Sequence, residues 1–206
     1  MNRADLRTAI IEDTHRPDLN GLVDRFIRQG EGLIRRQVTA YPLSYVLTES
    51  DRAADGIYTL PSGVQIIRSL QWRGRNIRDG LARVSIDSLN RLSAQADPQQ
   101  YAQLSINTVD IRGVPPTDSE IDLLYFGMPE PLVNPEDTNQ LLEDHETLYI
   151  SAAKFHVYIH TQDRELAQDE LQIFNGVAET LNEQTDRQFG GESITQTYDF
   201  SGGSTY

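Results

Sequence analysis

A chain of 206 residues, 38% hydrophobic and without cysteine, is long enough to bury a core as one domain and excludes disulfides, thiolate metal sites and cysteine nucleophiles. Its 18 basic residues against 31 acidic ones give a net charge of -13, which argues against a generic nucleic-acid binder, because phosphate contacts need clustered Lys and Arg. The charge is also unevenly spread: residues 1–100 carry 14 arginines against 12 acids and residues 101–206 carry 4 basic residues against 19 acids, an asymmetry suited to copies packing front to back.

In chain order, Ala4 to Asp13 reads as a short helix with Leu6, Ala9 and Ile10 on one side. Pro17 suits a first helical position, and Leu19, Leu22, Val23, Phe26, Ile27, Leu33, Ile34 and Val38 keep helical spacing to about Thr39. This predicts one long amphipathic helix with Arg25, Arg28, Arg35 and Arg36 on its wet face. Gly30 and Gly32 each weaken it by roughly 1 kcal/mol relative to alanine, which points to a bend or a close helix contact there. From Tyr41 the pattern changes to short β-like runs: Ile57–Leu60 stopping at Pro61, Val64–Trp72, a turn at Arg73-Gly74-Arg75-Asn76, then Tyr101–Asn107, Val109–Gly113 and Ile121–Phe126. Ile86 to Ala94 reads as a brief helix.

Thr138 to Arg187 holds two consecutive helical patterns joined at Thr161-Gln162-Asp163. The first, from Leu148 to Ile159, is apolar almost all the way round and is expected at the centre of a bundle, with Phe155 buried. The second spaces Ala167, Leu171, Phe174, Ala178 and Leu181 on one stripe, with Asp169, Glu170, Glu179 and Glu183 between them. Asp163 stands at an N-cap position, and so short a connection predicts an antiparallel αα-hairpin. After Leu181 the periodicity fades. The expected class is therefore α+β: a helical bundle (residues 4–40 and 138–187) with a small antiparallel sheet or barrel inserted at about 41–127. One domain spans residues 1–188, followed by an extended tail from 189 to 206. No run of 18 apolar residues or apolar leader occurs, so neither a membrane span nor secretion is expected.

Chemistry-bearing constellations are sparse. His156 and His160, four apart on a helix, could present two imidazoles to a metal, the basis of a small metalloprotein or enzyme reading; Val157 stands where the zincin-type motif needs glutamate. No nucleophile elbow, P-loop or dinucleotide fingerprint is present, and no cofactor or catalytic residue is expected. The patch Arg68, Arg73, Arg75, Arg78 and Arg83 around Trp72 reads either as an accessory DNA-binding surface or, better in view of the acidic second half, as arginines meeting carboxylates of a neighbouring subunit, with Arg73, Arg75 and Arg78 at the contact. The tail is rich in glycine and serine but carries Ile194, Tyr198, Phe200 and Tyr206, apolar anchors suited to ordering on another protein.

Four features carry a resemblance across roughly the whole chain: Arg25 to Arg36, Tyr58-Thr59-Leu60-Pro61 leading into a strand, Leu123-Leu124-Tyr125-Phe126, and Asn134 to Ala153 running into the hairpin. In these the chain resembles the head-to-tail adaptor (connector) proteins of tailed bacteriophages, the tail tubular protein A-like group included. Gly30 and Gly32, and Gly63-Val64 after Leu60-Pro61, depart from the family pattern. The resemblance implies a structural virion protein, assembled in the host cytoplasm, with 12 copies in a ring below the portal. Such a ring prolongs the DNA channel without binding DNA specifically and offers a platform to tail or nozzle proteins. It also implies that the C-terminal segment grips the portal, without identifying the residues; the composition of the tail makes Ile194, Tyr198, Phe200 and Tyr206 the expected anchors.

Overall fold

The computed structural model describes residues 1–54, 56–73, 79–90, 100–112 and 120–188. Helix α1 (Arg3–Thr14) opens with a capping box, in which Asn2 accepts from the Asp5 amide and Asp5 accepts from the Asn2 amide. It ends on His15 in the left-handed conformation. Pro17 then starts a single 3-10 turn, Pro17–Leu19, and not the long helix that the spacing predicts; α2 runs only from Val23 to Gln37. The reason lies at Asn20, whose backbone carbonyl and side chain both accept from Arg7 Nη2, at 2.8 and 2.9 Å. That contact pins the short turn against α1, and Gly21, a weak helix former, follows.

The strands form two sheets where one was expected. β1 (Tyr41–Leu47), β9 (Ile121–Gly127), β4 (Val64–Trp72) and β5 (Asp79–Gly80) make an antiparallel sheet in the order β1-β9-β4-β5. β2 (Arg52–Ala54), β3 (Ile57–Thr59), β8 (Thr108–Arg112), β7 (Gln100–Ser105) and β6 (Ala82–Arg83) make a second, in which the β6–β7 pair is parallel. In the first sheet, Leu47, Ile121 and Trp72 share one inward row and Leu43, Tyr125 and Ile67 another, so its inner face joins the core while the row Ser44, Leu124 and Ser69 looks outward. The brief helix α3 spans Ile86–Leu89 and is closed by Asn90; residues 91–94 of that predicted segment lie outside the described residues, as do most of the Arg73–Asn76 turn and the tail.

After β9, Asn139 caps the short helix α4 (Gln140–Asp144), and α5 (Glu146–Thr161) and α6 (Arg164–Gln188) follow. The hairpin forms as its sequence predicts. Gln162 closes α5 in the left-handed conformation, and Asp163 Oδ1 accepts from the Leu166 amide at the start of α6. Leu148, Tyr149, Ala152, Ala153 and Val157 of α5 are buried. Phe155, expected at the core, is only half-buried, and Ile159 is exposed. The cause is the width of the crossing. α5 meets α2 through Ala152 and Ala153 against Gly30, where a β-carbon on Gly30 would lie 3.1 Å from the Ala153 nitrogen and 3.2 Å from the Ala152 β-carbon. Helices that approach so closely leave no room between them for a phenylalanine, which is turned to the rim against His156.

On α6 the buried stripe Ala167, Phe174, Ala178 and Leu181 runs on to Thr185, past the point where the apolar pattern fades. Hydrogen bonds replace it: Asn182 donates to the Gln37 carbonyl and accepts from the Thr39 amide, and the Thr185 hydroxyl donates to the Ala40 carbonyl. These bonds satisfy the otherwise orphaned end of α2 and hold the α2–β1 corner.

Candidate interaction surfaces

Of the arginine patch, Arg73 is held by its own chain. Its Nε donates to Asp122 at 2.8 Å, its Nη1 to Glu120 at 2.6 Å, and its Nη2 pairs with the second Asp122 oxygen. Hydrogen bonding to Asp122 and then Glu120 pushes its pKa further up, so it is a permanent cation with its charge locally matched. Arg68 lies over the Phe126 ring and Arg83 reaches Gln103. Arg75 and Arg78 lie outside the described residues, as do Ile194, Tyr198, Phe200 and Tyr206. Arg73 also borders a shallow groove of about 450 Å³ on the outer face of the first sheet, lined by Ser44, Tyr45, Ser69, Asp122 and Leu124 among others. Such an open groove, with polar side chains set among apolar ones, offers a contact surface but no enclosed chemistry.

His156 and His160 do not converge. His160 sits exposed in the last turn of α5 with its ring 5.5 Å from Phe26, whereas His156 is half-buried with Nε2 enclosed and lacking a well-formed hydrogen bond. Burial lowers the His156 pKa; the Gln29 carbonyl opposes that shift and Arg36 adds to it. Burial and Arg36 outweigh the Gln29 carbonyl and favour a neutral ring packed beside α2. Among the described residues no group of three or more His, Asp or Glu could hold a metal ion.

Sequence reasoning missed a clasp around the N-terminus. Arg3 donates to the Val133 carbonyl and pairs with Asp24 at 3.0 Å; the Arg3 and Ala4 amides donate to the Asp137 and Pro135 carbonyls; and Thr138 donates to the Met1 carbonyl. Asp137 folds that loop by accepting from the Val133 and Asn134 amides, which hold its carboxyl below the usual range. Beneath the same loop Glu31 is buried and accepts from the Leu132 amide at 2.8 Å, and burial pushes its pKa up. The available signal was Asn134-Pro135-Glu136-Asp137, an Asx-turn sequence, but nothing local says that it closes on residues 1–4.

A second polar junction joins three helices. The only lysine of the sequence, Lys154, pairs with Glu170 of α6 at 2.7 Å and lies 3.5 Å from Asp13 of α1. Desolvation pulls its pKa down but is outweighed by the two carboxylates, so it stays charged. No helix of the described residues is long and apolar enough to cross a membrane. With helices, sheets and polar junctions all serving to hold surfaces in place, the comparison with known families is decisive: a sequence model of the SU10 adaptor protein family matches residues 1–196. No curated protein matches the chain.

Proposed function

Since the chain belongs to the SU10 adaptor protein family and is thereby a phage adaptor, we propose that it is the head-to-tail adaptor of its virion. In this reading 12 copies form a ring beneath the portal, extend the DNA channel, and offer their lower face to tail or nozzle proteins. The observation that carries the reading is the family match over residues 1–196. Physical support comes from the charge polarity: a ring of one subunit type needs a heterologous interface, and a basic first half meeting an acidic second half supplies complementary faces. The scarcity of basic residues after residue 100 also suits a channel wall, because few side chains there could replace the counterions of passing DNA.

We assign portal attachment to the tail, through Ile194, Tyr198, Phe200 and Tyr206. Because Arg73 is already matched within its own chain, Arg75 and Arg78 are the patch residues we assign to a subunit contact. Many weak tail contacts made at once gain by multivalency. The test is electron microscopy of the chain mixed with portal rings of the parent phage, with full-length protein and with residues 190–206 deleted. A ring stacked on the portal by the full-length chain, lost on truncation while the melting temperature holds, is the expected result. Undiminished attachment by the truncated chain would move the docking surface to the folded body.

A further inference from the structure

The helical body carries opposite charge on opposite flanks. α5 lies between α2 and α6: Ala152 and Ala153 abut Gly30 and His160 meets Phe26 on one side, while Lys154 pairs with Glu170 on the other. On α2, the buried residues Val23, Phe26, Ile27, Gly30, Glu31 and Ile34 face inward, and Arg25, Arg28, Arg35 and Arg36 are exposed on the far side. Of the two acids of α2, Asp24 is paired with Arg3, and Glu31 is buried under Leu132, where it interacts with Arg35 among the four. On α6, Glu165, Asp169, Glu179 and Glu183 are exposed opposite the stripe that contains Phe174. The cations of α6 are Arg164 at one end and Arg187 at the other, the latter pairing with Glu183. Beside the acidic stripe Leu166 and Ile173 stand 43% and 47% exposed, apolar area that a lone subunit gains nothing by showing to water.

We propose that the arginine face of α2 in one copy docks on the acidic face of α6 in the next, and that this contact propagates around the ring. The occupant is a second copy of this chain, because one molecule carries both complementary faces on roughly opposite sides, the arrangement that a heterologous contact repeats. The arginine face fits within the acidic one: Arg25 to Arg36 spans about 16 Å of helix and Glu165 to Glu183 about 27 Å. Both helices run against α5, so they are parallel to one another, and a rotation about an axis along them brings α2 beside the neighbouring α6 without inversion. The inference rests on the ring reading above and gives it a specific interface, separate from the contact assigned to Arg75 and Arg78.

The test uses two full-length variants, one with Arg25→Glu, Arg28→Glu and Arg36→Glu and one with Asp169→Lys, Glu179→Lys and Glu183→Lys, chosen to leave Arg35 at its Pro129 contact. Ring formation is measured at about 0.15 M salt, where screening acts over about 8 Å, by mass photometry and electron microscopy with and without portal rings. Each variant alone is expected to form less than a tenth of the wild-type rings. An equal mixture of the two, whose faces again match all the way round, recovers at least half. Full assembly by either variant alone, or no recovery in a mixture of variants with native circular dichroism, would overturn the inference while leaving the ring reading intact. If the singly reversed variants assemble but the α2 variant loses retention of duplex DNA, the arginine face belongs to the DNA. Wild-type protein that forms no ring under any of these conditions would overturn the ring reading itself.

Discussion

Replacing Gly30 and Gly32 separately by alanine isolates the energy of the α2–α5 crossing. Both glycines lie inside α2, so both substitutions gain the same helix propensity, about 1 kcal/mol. Their surroundings differ. A β-carbon at Gly32 meets nothing within 4 Å, whereas one at Gly30 meets the Ala153 nitrogen at 3.1 Å and the Ala152 carbonyl carbon at 3.2 Å. Those are backbone atoms of a helix held on its other flank by α6, and they cannot swing aside as a side-chain tip does. Overpacking of that kind costs about 1–3 kcal/mol. Gly32→Ala should therefore raise the stability by about 1 kcal/mol, some 2–4 °C in melting temperature for a chain of this size. Gly30→Ala should fall below it by about 1–3 kcal/mol, ending between unchanged and about 2 kcal/mol less stable than wild type. Urea denaturation followed by circular dichroism at 25 °C measures both. A Gly30→Ala protein as stable as Gly32→Ala would refute the close crossing and with it the reason given for the turned-out Phe155.

Further outcomes follow from the same structure. Phe174→Ala, at a side chain with no exposure, should cost about 3–5 kcal/mol, whereas Phe155→Ala at the half-buried rim should cost clearly less; equal losses in chemical denaturation would return Phe155 to the core. Glu31→Ala leaves the buried Leu132 amide without its acceptor and should cost about 1–3 kcal/mol, while Glu31→Gln, which keeps an oxygen there, should be close to wild type at low pH. Burial holds the Glu31 pKa above its ordinary value, so the fold disfavours the ionised form, and the stability of the wild type relative to Glu31→Gln should decline as pH rises from the ordinary carboxylate range through the folded value; a flat difference would refute that burial. His156 titrates below its ordinary value of 6.5 because it is desolvated. Its neutral form is the one the fold accepts, so stability present above pH 6.5 should be lost as pH falls through the folded value, and His156→Gln should remove that part of the acid sensitivity in thermal melts.

What was legible in the sequence divides along the range of the interactions. The hairpin and the strand Val64–Trp72 were legible because their signals are local: Asp163 at an N-cap, a stripe from Ala167 to Leu181, a β-rich run bounded by Pro61 and the turn after Arg73. The break at Asn20 was not, since it depends on Arg7 reaching across from α1 to pin the short turn. For the same reason nothing local divides the strands into two sheets, where β1 pairs with β9 across nearly the whole insertion. The surfaces follow this rule more strictly. Runs of arginine in α2 and of carboxylate in α6 each read as an ordinary solvated helix face, and a charge count over halves of the chain notes their imbalance without giving it direction. Direction arises only when α5 is inserted between them, and that depends on Gly30 admitting Ala152 and Ala153 on one flank while Lys154 binds Glu170 on the other. A larger residue at position 30 would tilt or separate α2, and the arginine face would then no longer stand opposite and parallel to the acidic one. The glycine that departs from the family pattern is thus the residue on which the alignment of the two charged flanks depends.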